Sequence, residues 1–167
     1  MIVNHEFGLP RRATTGSCGY DLVTPIDIDI YTDRWTTFSL ELQLEDGDLP
    51  SFSYMEIVPR SSTGFKYGLR LANTTGVVDS DYRKPINAKL IADQYALIER
   101  ASVHDESVFV QYSDINEDVE PKFEYGFVHL DAGERILQGI VHSYELINGE
   151  EPPIVIRYDG LGSTGKK

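Results

Sequence analysis

Apolar and polar residues alternate with a period of two along much of this chain. Residues 24–31 (TPIDIDIY) and 37–44 (TFSLELQL) send successive side chains to opposite faces, as a half-buried strand does. Further segments of strand-like character follow at 53–58, 68–72, 89–92, 108–112, 123–130, 136–145 and 154–158. Turn-forming residues separate several of them, at 45–48 (EDGD) and 148–149 (NG). Residues 92–101 fit a short helix as well as a strand. Many short strands joined by hydrophilic turns predict an all-β domain: a sandwich, barrel or jelly roll.

Composition narrows the function. The 167 residues suffice for one domain with its own core, and the net charge is −12. That charge argues against sequence-independent nucleic-acid binding, which needs many cations on phosphates. A free nucleotide needs only one local cluster of cations, and an acidic surface favours a divalent metal as its bridge. Cys18 is the sole cysteine, which excludes an intrachain disulfide and a multi-cysteine metal site. His5, His104, His129 and His142 lack the spacing of a histidine zinc site, and no G-x-S-x-G elbow is present. No basic-then-apolar leader and no membrane-length apolar run is evident, so a cytoplasmic protein is expected. Residues 93–124 read as an acidic, loop-like insertion that includes Asp114, Glu117, Asp118 and Glu120. A solvated insertion is the simpler expectation for it; a surface for a regulatory protein partner is the alternative.

The final residues, GLGSTGKK (160–167), satisfy the G-x-x-x-x-G-K part of a phosphate-cradling loop. Such a loop also needs a Ser or Thr next, and a helix whose N-terminus meets the anion; here Lys167 follows. Set in order with other segments, the tail reads differently. LPRRATTGSCGYDL (9–22), PRSSTGFKYG (59–68), LANTTGVVDSDY (71–82), GERILQ (133–138) and GLGSTG (160–165) resemble the five signature motifs of the trimeric dUTP pyrophosphatases, the dUTPases.

The resemblance implies an all-β, distorted jelly-roll barrel assembled as a homotrimer, with active sites at subunit interfaces. It implies hydrolysis of dUTP to dUMP and pyrophosphate with Mg²⁺, the metal being held by phosphates and water and by no direct protein ligand. By motif position, Asp79 is the carboxylate that activates the attacking water. An aspartate of ordinary pKa, about 3.9, is ionised at neutral pH and can accept that proton. Tyr82 packs on the deoxyribose and leaves no space for a 2′-hydroxyl. Asn73, Gly76 and Val78 belong to the hairpin that reads uracil, where an amide supplies both donor and acceptor. Arg60, Ser61, Ser62 and Gln138 contact phosphates, and Asp21 supports the site. The division expected is a β domain over 1–156 and a C-terminal arm over 157–167. In the arm, Arg157, Leu161, Gly162, Ser163 and Thr164 close on base and phosphates.

Three departures from the family pattern stand out. Lys84 and Pro85 follow the third motif where glycine is usual. The interval before the fourth motif is long, as in some phage members, which makes a phage or viral source an expectation. In the fifth motif, RYDGLGSTG is one residue short, and Leu161 replaces the phenylalanine that stacks on uracil. Leucine covers the base without an aromatic face, so weaker closure is expected. A dCTP deaminase-related enzyme is the alternative activity, and it fits the second and third motifs less well.

Overall fold

The computed structural model describes residues 1–112 and 123–150. Twelve strands and two helices follow one another: β1 (Ile2–Val3), β2 (Gly19–Val23), β3 (Ile28–Tyr31), β4 (Thr36–Ser39), β5 (Leu42–Gln43), β6 (Ser53–Pro59), α1 (Ser61–Phe65), β7 (Leu69–Leu71), β8 (Gly76–Asp79), β9 (Asn87–Ala92), α2 (Gln94–Ser102), β10 (Val108–Tyr112), β11 (Phe123–Leu130) and β12 (Arg135–Ser143). They pair antiparallel throughout, in sheets ordered β2-β12-β6-β8, β10-β11-β3, β4-β9-β7 and β1-β5. The result is an all-β jelly roll. Among the described residues no helix is long and apolar enough to cross a membrane.

The two-residue period becomes the core. Ser53, Met55 and Ile57 of β6 face inward, as do Ala88, Leu90 and Ala92 of β9. Leu22, Ile30, Leu40, Leu42, Leu44, Leu69, Leu130 and Leu137 join them almost fully buried. Burying each such side chain contributes about 1.5–3 kcal/mol before entropy is charged against it.

Where pattern and fold differ, the backbone explains why. The strand expected over 37–44 is two strands, because Glu41 takes a left-handed conformation (φ 54°). Its N–H donates to the Ser39 hydroxyl, 3.0 Å, so the ladder breaks while Leu40, Leu42 and Leu44 all stay buried. The strand expected from residue 24 begins at Ile28. Thr24 instead joins the loop before β12: its hydroxyl donates to the Asp131 carbonyl at 2.7 Å, and its N–H to the Glu134 carbonyl. Residues 154–158 lie outside the described residues.

The insertion is not loop-like where it is described. Asp93 caps α2, its carboxylate accepting from the Tyr95 and Ala96 N–H groups at 3.0 and 3.3 Å. Leu97 then points into the core, and β10 pairs along β11. Arg100 ion-pairs with Asp105 and donates to the Lys66 carbonyl, which ties α2 to the segment after α1. Asp114, Glu117, Asp118 and Glu120 lie outside the described residues.

The seam between α2 and the sheet depends on Gly126. A Cβ there would lie 2.6 Å from the Phe109 carbonyl oxygen and 3.0 Å from Leu97 Cδ2. Gly126→Ala is therefore expected to destabilise by about 1–3 kcal/mol, the overpacking cost exceeding the ~0.4–1 kcal/mol that a stiffer unfolded chain returns. Urea midpoints read this against the surface control Glu99→Ala; equal midpoints would show that helix and sheet are not packed together.

Candidate active site

Two groups of chemically suited side chains emerge from this frame. The first forms around β8. A four-residue turn, 72–75, joins β7 to β8 and is tightened by hydrogen bonds from Thr74 N to the Leu71 carbonyl and from Thr75 N to that of Asn73. Thr74 sits in the left-handed region (φ 62°). β8 lies on β6 with Gly76 opposite Ile57 and Asp79 opposite Tyr54. Directly after it the chain turns back, the Tyr82 N–H donating to the Asp79 carbonyl at 3.1 Å. The Tyr82 hydroxyl donates to the Pro85 carbonyl at 3.4 Å.

These turns enclose an open pocket of about 390 Å³. Asn73, Gly76, Val78, Asp79 and Tyr82 all line it, with Ile57, Leu71 and Ile86 as apolar wall. Every residue assigned from the third motif thus reaches one cavity. A largely apolar slot with a few polar groups at defined points suits a flat heterocycle joined to a sugar.

The second group gathers at the other edge of β6. Gln138 of β12 stands opposite both Val58 and Asp21, so three strands bring the first, second and fourth motifs together. Asp21 is only 11% exposed and holds two guanidinium groups, Arg60 Nε at 3.0 Å and Arg135 Nη1 at 3.3 Å. Arg60 also donates to the Arg135 carbonyl, 3.1 Å. The buried Thr63 hydroxyl donates to the Ile136 carbonyl, anchoring α1 beneath them. Ser61 and Ser62, at the start of α1, are exposed. Gly19 lies close to this group: a Cβ there would come within 2.5 Å of Gln138 Oε1 and would displace the Gln138 side chain.

Arg60 is thus only partly exposed. A partly shielded carboxylate fixes it, with the remaining guanidinium edge available to an anion. Arg135, Thr63 and Gly19 were missed as site residues. Arg135 stands inside the quoted fourth motif, but its link to Asp21 spans 114 residues of chain and no local spacing announces it.

The two groups are separate within one chain. None of Asp21, Arg60, Ser61, Ser62 or Gln138 lines the 390 Å³ pocket. On β6, Asp79 is opposite Tyr54 and Gln138 is opposite Val58, on flanking strands. Strand rise and spacing put those two Cα atoms about 16 Å apart. Arg157, Leu161, Gly162, Ser163 and Thr164 lie outside the described residues. Among the described residues no group of three or more His, Cys, Asp or Glu side chains is arranged to hold a metal ion.

Glu134, beside Arg135, is raised above its ordinary value by burial and then by the Asp131 carboxylate, with Lys66 offsetting part of this. Its folded form thus holds the proton more tightly than its unfolded form. The associated stability is full below about pH 4.5 and is lost as pH rises through the folded value. Glu134→Gln is expected to gain stability over wild type between about pH 4 and pH 7. Denaturation midpoints at the two pH values check this; a constant difference would contradict the buried-carboxylate account.

Comparison with known proteins fits this geometry. The family model described as dUTPase matches residues 5–99. The deoxyuridine 5′-triphosphate nucleotidohydrolase of Pasteurella multocida (strain Pm70) is 37% identical over 92 residues, 53% of this chain and 58% of that protein. The corresponding protein of Psychrobacter arcticus is 41% identical over 81 residues, 46% of this chain and 50% of that protein. The chain spans about half the length of the curated relatives it matches. Among solved structures, the dUTPase of Streptococcus mutans superposes with a TM-score of 0.55 at 24% identity, covering 88% of this chain and 94% of that one. The dUTPase from phage phi11 of S. aureus, described as carrying a species-specific insert, gives 0.60 at 13% identity, covering 87% and 88%. Both likenesses show the shared fold. With residues 5–99 of its 167 matched by the family model, this chain belongs to the dUTPase family.

Proposed function

We propose that this protein hydrolyses dUTP to dUMP and pyrophosphate, as a homotrimer whose sites combine residues of neighbouring subunits. The observation that carries the reading is the convergence of Asn73, Gly76, Val78, Asp79 and Tyr82 on one pocket. Asn73 and the hairpin backbone read the uracil edge, and the Tyr82 ring closes the space that a ribose 2′-hydroxyl would need. Asp79 orients a water and takes its proton as the oxygen attacks the α-phosphorus. The bond from that phosphorus to the bridging oxygen breaks, and pyrophosphate leaves. Such a base must stand within about 3 Å of the water it activates.

The phosphates need cations and donors, and the Asp21–Arg60–Gln138 group supplies them. Its distance from Asp79 within one chain supports completing each site from a second subunit, with the arm residues Arg157, Leu161, Gly162, Ser163 and Thr164 closing over it. Mg²⁺, carried by the phosphates and water, would neutralise charge there. Asp21 is the residue of this chain suited to hold one of its waters: each carboxylate oxygen has a second lone pair beyond its guanidinium contact. The product feeds thymidylate synthesis, and removal of dUTP keeps uracil out of DNA. The described part of the insertion packs into the fold, which favours a structural role for that part over a separate partner-binding module.

Pyrophosphate release from dUTP, dCTP, dTTP and UTP tests the assignment. Release is expected from dUTP alone, and Asp79→Asn is expected to lower kcat by about 10²–10⁴-fold. Equal release from UTP would overturn the proposal, and ammonia release from dCTP would replace it with a deaminase.

A further inference from the structure

Arg83 follows the third motif's tyrosine, and neither the pocket nor the phosphate group uses it. Its guanidinium nevertheless makes four hydrogen bonds. Nη1 donates to the Ser80 carbonyl at 2.7 Å and to that of Tyr82 at 3.2 Å. Nε and Nη2 donate to Asp46 Oδ1 at 3.1 and 2.6 Å. One planar group thus grips the turn between Asp79 and Tyr82 from inside and fastens it to the turn at 45–48. That second turn is itself fixed. The Glu45 N–H donates to Asp48 Oδ2 at 2.6 Å, and the Met1 ammonium sits on Asp48. Leu42 and Leu44 beside it are buried in the core.

We infer that Arg83 and Asp46 form a positioning pair that holds Tyr82 against the sugar and thereby sets discrimination between deoxyribose and ribose. Tyr82 is held at two ends, its backbone by Arg83 and its hydroxyl by the Pro85 carbonyl. A steric gate works only if the ring cannot retreat when a 2′-hydroxyl presses on it. At this position the chain carries Lys84 and Pro85, so the exit of the turn takes its geometry from the arginine strap and the fixed φ of proline. Exposed ion pairs alone contribute little, and Asp46 is 97% exposed. The leverage comes from the two backbone carbonyls, which a lysine ammonium could not span together with Asp46.

The inference rests on the dUTP reading above, and its test separates the two. Arg83→Lys and Asp46→Ala are measured beside wild type for kcat and KM with dUTP and with UTP, and for thermal midpoint. The dUTP-to-UTP ratio of kcat/KM is expected to fall about fivefold in Arg83→Lys and in the same direction, less far, in Asp46→Ala. The change should come chiefly from a lower KM for UTP, at a nearly constant midpoint. A merely structural role would lower both substrates together and leave the ratio unmoved, which would overturn the inference. Asp46→Ala lies at an exposed turn, so the test stands even where Arg83→Lys folds poorly. Absence of dUTP turnover in wild type would overturn the underlying reading instead.

Discussion

Strand β6 is the constraint on which the rest of the architecture depends. It carries β12 along one edge and β8 along the other, and its buried side chains, Met55 and Ile57, seat it on the core. The fit against β12 is close enough to dictate sequence: a Cβ at Gly139 would come within 2.4 Å of Met55 Sδ. Because both neighbours are in register with one rigid strand, the phosphate-suited group and the base pocket sit at a separation that no side-chain rotation can close. Under the proposed function, oligomerisation is part of the catalytic design rather than an addition to it.

Electrostatics complements this geometry. The chain carries −12 overall, so an anionic substrate must be met by cations concentrated in one place. Asp21 does this by holding Arg60 and Arg135 side by side, each through a different oxygen. The carboxylate reduces the mutual repulsion of the two guanidiniums and limits their motion, which under the proposed function prepares them for the substrate's phosphates. Asp79 lines the pocket on the other side of β6.

Much of this was legible in the sequence, for definable reasons. Strands with one buried face, such as β6, β9 and β11, announce themselves through alternation. β8 did not, because Gly76 and Asp79 bracket only two apolar residues and the run reads as turn chemistry. The break at Glu41 was invisible, since a left-handed glutamate leaves the apolar period intact. Within the insertion, the strands at 108–112 and 123–130 were read from their apolar residues, whereas α2 stayed undecided between helix and strand until Leu97 was seen to pack into the core. Site residues within a motif were readable by position. The Asp21–Arg135 and Arg83–Asp46 contacts were not, since they join residues 114 and 37 positions apart.

In the proposed enzyme each chain holds two incomplete halves of the site. Co-expression of Asp79→Asn chains with Arg60→Ala chains tests it most directly, each variant being nearly inactive alone. Random mixing in trimers pairs an intact Asp79 with an intact Arg60 from another subunit in roughly a quarter of sites, so dUTP hydrolysis at about a quarter of wild type is predicted. Activity no greater than the sum of the two parents would show that both halves must come from the same chain, and would contradict the account.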